Sequence, residues 1–465
     1  MKRVIGSVAC LLFATCLTIA TTRGGADEPR RPQANLPSEA KSTYPPIDTT
    51  DLRFNTADHG PPGDKAPLVK PWKRIRVDPE FGGNWIVTGD VDGDGAADIV
   101  TAKNMPGLGI HYTSAAVAQR LDGSVIWQWG DPTVGQKRLG HDVALQIYDW
   151  DGDGKNEVIL ATEGFLVELD GATGEEKRRI DIPARATDCI VFCNLSGGPR
   201  ATDVLVKDRY RRIWAYNYEG RQLWGGDWKP GGYPTAHQPR PIDIDGDGKH
   251  EIMAGYAMLN SDGTERWVYK SHVMDQSRGH LDCCRVLKRG DKPEDFRLLL
   301  TCCGDNNIAC VDGNGRVLWE TPGHHFESIQ LGKIFPDVPG THLLVDVAHR
   351  PPGENPLWVM DDQGRPRGQI MLDNSRIHDL LDWDGDGYED ILVAAGHGVF
   401  NYHGERIATF DTKTRGNTIL LGDMTGDGIS DVTILTSNPT MVYIFENKHG
   451  KTKAPLGCGV NFTLY

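Results

Sequence analysis

A chain of 465 residues with 39% hydrophobic and 25% charged residues is globular and has ample material for a core. Its formal charge of −14 argues against a phosphate-binding surface, because nucleic-acid footprints are basic. Length alone leaves open two or three ordinary domains or one array of repeats, so internal repeats decide the reading.

Lys2 and Arg3 precede an apolar run from Val4 to Ala20, and small residues follow as far as Ala26. Residues 1–26 therefore read as an export signal, since the run is short for a membrane span. The Phe-Ala-Thr before Cys16 is a poor lipobox, and no later segment could cross a membrane. Residues 27–70, rich in Pro, Asp, Lys and Thr, read as a solvated linker. Residues 71–465 then form a single domain of an exported monomer, in the periplasm, at the cell surface or in the medium. Ten cysteines become eight once Cys10 and Cys16 leave with the signal. Export permits disulfides, so Cys189 with Cys193, or some of Cys283, Cys284, Cys302, Cys303 and Cys310, are open to pairing.

From Asp90 onward one grammar repeats: apolar strand, Asp-x-Asp-Gly-Asp-Gly, apolar strand. Clear copies are GDVDGDGAADIV at Asp90, DWDGDGKNEVIL at Asp149, DIDGDGKHEIM at Asp243 and DWDGDGYEDILV at Asp382. GDMTGDGISDVTIL at Asp423 is a fifth, with Thr425 replacing one aspartate, and degenerate copies lie near Asn194, Leu287 and Lys333. Each unit continues into a hairpin ending in Trp, as in LDGSVIW, YEGRQLW, SDGTERW and VDGNGRVLW. Eight units at roughly 41 to 59 residues, with four short strands each, predict an all-β, eight-bladed β-propeller of four-stranded antiparallel blades.

Loop positions 1, 3, 5 and 9 carry Asp90, Asp92, Asp94 and Asp98; Asp149, Asp151, Asp153 and Glu157; Asp243, Asp245, Asp247 and Glu251; and Asp382, Asp384, Asp386 and Asp390. Asp423, Asp427 and Asp431 complete the set. Converging hard oxygens of this number suit Ca²⁺, and carboxylates this close repel one another without a cation. No glutamate stands at position 12 of the first loop, so the loops are not EF-hands. Their calcium is expected to be structural.

If each acidic loop joins the inner strand to the second, the start of the inner strand lies on the other face. Inner strands begin at Asn84, His141, Thr187, His237, His280, His324 or His325, His378 and Asn417. Second strands end near Lys103, His111, Lys207 to Tyr210, Tyr256, Cys302, Cys303, His349 and His397. Most of the 15 histidines thus share one face, which equips it for proton transfer and anion binding. Two groups separate by blade. His111, His141, Arg209, Tyr210, Tyr233 and His237 belong to the first four. His280, Cys302, Cys303, His325 and His349 belong to the next two and mix imidazole with thiol, as Zn²⁺ prefers; disulfides are the competing reading.

The acidic loops resemble FG-GAP or VCBS repeats over most of residues 80–445. The order GDVDGDG…HYT…LDG…W, a Gly-His, YDWDGDGKNEV, and then DIDGDGKHEIMAGYAMLNSDGT…GH is similar to rhamnogalacturonan lyases of polysaccharide lyase family 11. The histidine-rich face also resembles propeller-type ulvan lyases. The resemblance implies a calcium-rich propeller that cleaves an acidic, uronate-containing polysaccharide by β-elimination. On the clustering above, His141 is the expected base and His111 or Tyr210 the acid. Arg209 would hold the uronate carboxylate, and Lys207, Tyr233 and His237 would line the groove. The alternatives are a non-catalytic propeller binding carbohydrate or protein, and a metal-dependent hydrolase using the His/Cys cluster.

Overall fold

A computed structural model describes residues 48–58, 66–107, 110–137, 143–303, 306–348, 350–394, 398–412 and 416–458. The expected export signal lies outside them. The described chain forms eight sheets; five run through consecutive strands in sequence order, and the other three each add one strand from the N-terminal side. Blade 1 is built from Trp85–Gly89, Asp98–Gly107, Ile110–Arg120 and Val125–Gly130. Blades 2 to 8 begin with Leu145–Tyr148, Ile190–Cys193, Thr235–Ile242, His280–Lys288, Phe326–Gly332, His378–Leu381 and Gly416–Gly422. First strands pack on each other between blades 1 and 2, 4 and 5, 5 and 6, and 6 and 7, as strands lining the axis of an all-β, eight-bladed propeller do. Burial on both faces explains why these strands read as apolar runs rather than alternations. Every residue of Trp85–Gly89 and of Ile190–Cys193 is buried.

The ring closes through its N-terminal side. Lys73–Arg76 pairs antiparallel with Met441–Phe445 as the fourth strand of blade 8. Before it, Phe54–Asp58 runs parallel along Pro366–Leu372 of blade 6, and Leu68–Val69 runs parallel along Arg406–Phe410 of blade 7. These strands fall in the stretch expected to be linker, so that expectation is corrected for them. One buried residue in five, Phe54, leaves no period to read in the sequence. What fixes this strand is long-range: Phe54 sits against Gly404, where a Cβ would come within 2.5 Å of its ring.

The Trp-ending hairpins do more than turn. Trp127, Trp224, Trp267 and Trp319 each donate an indole N–H to a turn carbonyl of the next blade, those of Gly171, Ser261, Gly313 and Asp362, at 2.7 to 3.1 Å. Each ring also covers a turn glycine. At Gly315, with φ of +80°, a Cβ would meet the Trp267 ring at 2.6 Å. The Asp-Gly turn and the Trp are thus two halves of one inter-blade joint.

The acidic loops do join inner to second strands. Their position-9 residues are buried and accept the N–H of position 2: Val91 on Asp98, Trp150 on Glu157, Ile244 on Glu251, Trp383 on Asp390 and Met424 on Asp431, at 2.8 to 3.2 Å. Degenerate loops keep this bond with other acceptors, Asp203 for Leu195 and His342 Nδ1 for Ile334.

Candidate functional site

The face opposite the acidic loops gathers its polar side chains where blades 3 to 6 meet the axis. Local backbone irregularity aims them. Ladder pairing between the first two strands shifts after Thr235 in blade 4, between Leu281 and Cys284 in blade 5, and between Phe326 and Ile329 in blade 6. Bulges re-aim side chains, and the residues inside these are His237, Asp282 and Glu327. The first strands of blades 1, 2 and 7 pair without a shift.

Around Asp282 the contacts are short. Its Oδ1 lies 3.1 Å from His280 Nε2 and 3.5 Å from His237 Nε2. The Tyr210 hydroxyl lies 3.1 Å from His237 Nε2, and its ring stands 4.5 Å from that of His280. On the other side, Cys303 Sγ is 3.0 Å from His325 Nε2, which in turn is 3.4 Å from Glu327 Oε1. Arg376 closes on Glu327. The donors of His237, His280 and Asp282 lie within 4.8 Å of one another, and so do those of Asp282, Cys303 and His325.

His280, His325 and Arg209 retain 18%, 19% and 21% of their side-chain exposure, whereas His237 and Asp282 retain 3% each. The site therefore has a wet rim and a dry floor. Burial holds the His280 imidazole below its ordinary range against the pull of Asp282. Burial also pushes the Cys303 thiol well up, reinforced by Asp282 and Glu327. Asp346, beneath Ser328, is pushed up by burial and then by Glu327.

Of the residues expected from sequence, Arg209, Tyr210, His237, His280, Cys303 and His325 come together. Lys207 does not line a groove. It is fully buried, bonded through Nζ to Asp188 at 2.8 Å and to the carbonyls of Asp208 and Arg209 at 3.2 Å. It holds the turn that presents Arg209 and Tyr210. Tyr233 stacks edge-on against Tyr256 at 5.4 Å. Cys302 points to the opposite side of its strand from Cys303, into the apolar cluster of Leu281, Tyr256 and Met258. His324 turns away to Arg350, and His378 is buried between Ser328 and Ser375. His141 and His349 lie outside the described residues. So does the side chain of His111, whose backbone opens the third strand of blade 1. Cys193, Cys283, Cys284, Cys303, Cys310 and Cys458 carry free thiols, which sets aside the disulfide reading for them.

Sequence reasoning missed Asp282, Glu327 and Asp188. The signal was present as His-x-Asp at 280–282 and His-x-Glu at 325–327, with a carboxylate two residues past the strand-opening histidine. A phenol, imidazoles and a buried carboxylate in series, beside an arginine, can carry a proton and hold an anion.

An eight-bladed propeller with imidazole, phenol, thiol and carboxylate groups gathered on one face is the class that fold and geometry define. No protein-family profile matches the chain. Two curated proteins of Bacillus subtilis (strain 168) are similar to it. The rhamnogalacturonan exolyase YesX is 22% identical over 488 residues, covering 83% of this chain and 75% of that protein. The rhamnogalacturonan endolyase YesW is 26% identical, covering 83% and 73%. Among solved structures, the rhamnogalacturonan lyase PL11 of Bacillus licheniformis aligns with a TM-score of 0.58 at 19% identity, over 84% of this chain and 76% of that one, a likeness of fold. The resemblance to rhamnogalacturonan lyases is thus found along most of the chain.

Proposed function

We propose that the protein is a polysaccharide lyase that cleaves rhamnogalacturonan by β-elimination. The observation that carries this reading is the similarity of 83% of the chain to two curated rhamnogalacturonan lyases. The Arg209–Tyr210–His237 constellation supports it by offering groups the reaction needs. In that reaction a base removes the C5 proton, α to the uronate carboxylate. The C4–O bond breaks as the C4–C5 double bond forms, and the leaving oxygen takes a proton. Arg209 would neutralise the carboxylate, which acidifies the C5 proton. Tyr210, backed by His237, would protonate the leaving oxygen, with His111 as the other acid and His141 as the base. Export would bring the chain to its polymer outside the cell, and ulvan is the alternative acidic substrate for the same chemistry.

The same reading assigns Ca²⁺ to the five acidic loops, on the face away from the chemistry. Asp90, Asp92 and Asp94 bring three carboxylates within 4.8 Å, a donor set of hard oxygens that fits the ion. In blades 1, 2 and 4 a basic side chain already meets the position-3 aspartate: Arg120 on Asp92, Lys177 on Asp151 and Arg266 on Asp245. No such pair is found at Asp384 among the described residues, so the blade 7 loop is where the cation has most to offset.

The test offers rhamnogalacturonan and ulvan to the purified protein and follows the ultraviolet absorbance of the conjugated double bond. Rhamnogalacturonan is expected to give the signal and His141→Ala to abolish it. Full activity in His141→Ala would remove His141 from the mechanism, and no signal from either polymer would remove the lyase reading.

A further inference from the structure

The two triads that share Asp282 have the composition and spacing of a transition-metal centre. We propose that His280, Asp282, Cys303 and His325 hold one zinc-class divalent ion, and that His237 links this centre to Tyr210.

Ligand type comes first. Two imidazoles, a thiol and a carboxylate form a mixed N/S/O set that suits Zn²⁺, while Ca²⁺ takes oxygens alone. Spacing comes second. Bonds of ~2.0–2.3 Å to a tetrahedral ion put neighbouring donors ~3.3–3.8 Å apart. Here the donors stand 3.1 Å apart for His280 and Asp282, and 3.0 Å for Cys303 and His325. An ion entering would open these edges by only a few tenths of an ångström, about half an ångström at the sulfur.

A third observation is independent of both. Asp282 is 3% exposed, yet its Oδ2 accepts no hydrogen bond. A buried carboxylate oxygen left in this way costs free energy unless a cation meets it. The Cys303 sulfur and a His325 ring nitrogen both lie within 4.8 Å of an Asp282 carboxylate oxygen, which brings them within reach of one ion.

His237 then gains a reason for its position. Its Nε2 stands 3.5 Å from Asp282 Oδ1 and 3.1 Å from the Tyr210 hydroxyl. It therefore ties the phenol to the carboxylate that binds the ion, as partners behind a ligand commonly orient a site. Uptake of the ion releases the Cys303 thiol proton to solvent and leaves the thiolate pair on the metal. The site stands whether or not the protein is a lyase, because none of these distances depends on a substrate.

The experiment uses the full mature chain, desalted in EGTA to strip calcium, with metal content read by mass spectrometry. About one zinc per chain is expected to remain. After exchange with Co²⁺, a thiolate-to-cobalt charge-transfer band is expected in the near ultraviolet. Cys303→Ser should lose that band, while Cys302→Ser, one residue away on the opposite side of the strand, should keep it. If Cys303→Ser does not fold, His325→Gln must lower retained zinc at least ten-fold. Folded native protein that takes up neither metal overturns the proposal. So does a Cys302→Ser variant that loses the band as completely as Cys303→Ser, or a His325→Gln variant with full zinc content.

Discussion

Tyr210 shows how much one contact can decide. Its hydroxyl meets His237 at 3.1 Å on a face where the floor is dry and the rim is open. Tyr210→Phe keeps the ring against His280 and removes only the hydroxyl. The expected result is a fall in kcat of about 10²-fold or more with KM little changed, read from steady-state kinetics on rhamnogalacturonan. An equal loss in KM alone would make Tyr210 a binding residue. Lys207 behaves differently, because it is sealed from solvent with Asp188. Lys207→Met would leave that buried carboxylate to Arg209, 3.5 Å away, at a cost of about 3–5 kcal/mol in urea unfolding. The sequence placed Lys207 correctly at the end of its strand but gave it to the groove. Position along a strand is periodic and legible; the cross-strand partner that draws a side chain inward is not. Asp282 was overlooked for a related reason, since a bulge takes its residue out of the alternation that sequence patterns reveal.

At the scale of the element, the acidic loop divides into two functions. Position 9 is a buried hydrogen-bond acceptor that ties the loop to its own strand, and it survives as Asp203 and His342 where the other carboxylates are lost. Position 5 is exposed in all five loops, whereas position 1 is buried at Asp382 and Asp423. In blades 2 and 4 Glu157 and Glu251 also lie within 4.8 Å of the position-1 and position-3 aspartates, so position 9 can share a cation there as well. Asp431→Ala should therefore destabilise the protein by roughly 2–4 kcal/mol even without calcium, since it removes the acceptor of Met424, Thr425 and Asn447. Asp386→Ala should change stability little in EGTA and instead reduce the rise in Tm that Ca²⁺ produces. Thermal melts of both variants, with and without Ca²⁺, separate the two roles. If Ca²⁺ raises the Tm of neither the native protein nor Asp431→Ala, the loops are acidic turns without calcium. The spacing of the four carboxylates was plain in the sequence. Their division of labour was not, because it depends on which oxygen the strand buries.

Across the whole molecule, the fold was legible because its signal is repeated. Asp-Gly turns, Trp-ending hairpins and acidic loops recur around the ring, and each Trp rests on the next blade's turn. Closure was less legible, since it uses segments that occur once. Lys73–Arg76 completes blade 8, and the strands at Phe54–Asp58 and Leu68–Val69 extend blades 6 and 7. A chain beginning at residue 78 would leave Met441–Phe445 as an open edge, and open edges pair with other chains. That truncation is expected to aggregate in size-exclusion chromatography, whereas one beginning at residue 48 should elute as the full chain does. The ring also places the acidic loops at one end of the inner strands and the cluster of His237, His280 and His325 at the other.

The most direct test of the lyase reading is the mass and ultraviolet spectrum of the oligosaccharides released from rhamnogalacturonan. Elimination predicts fragments that lack one water relative to hydrolysis products and absorb through a C4–C5 double bond. Saturated, water-added fragments, or polymer bound without being cut, would contradict it.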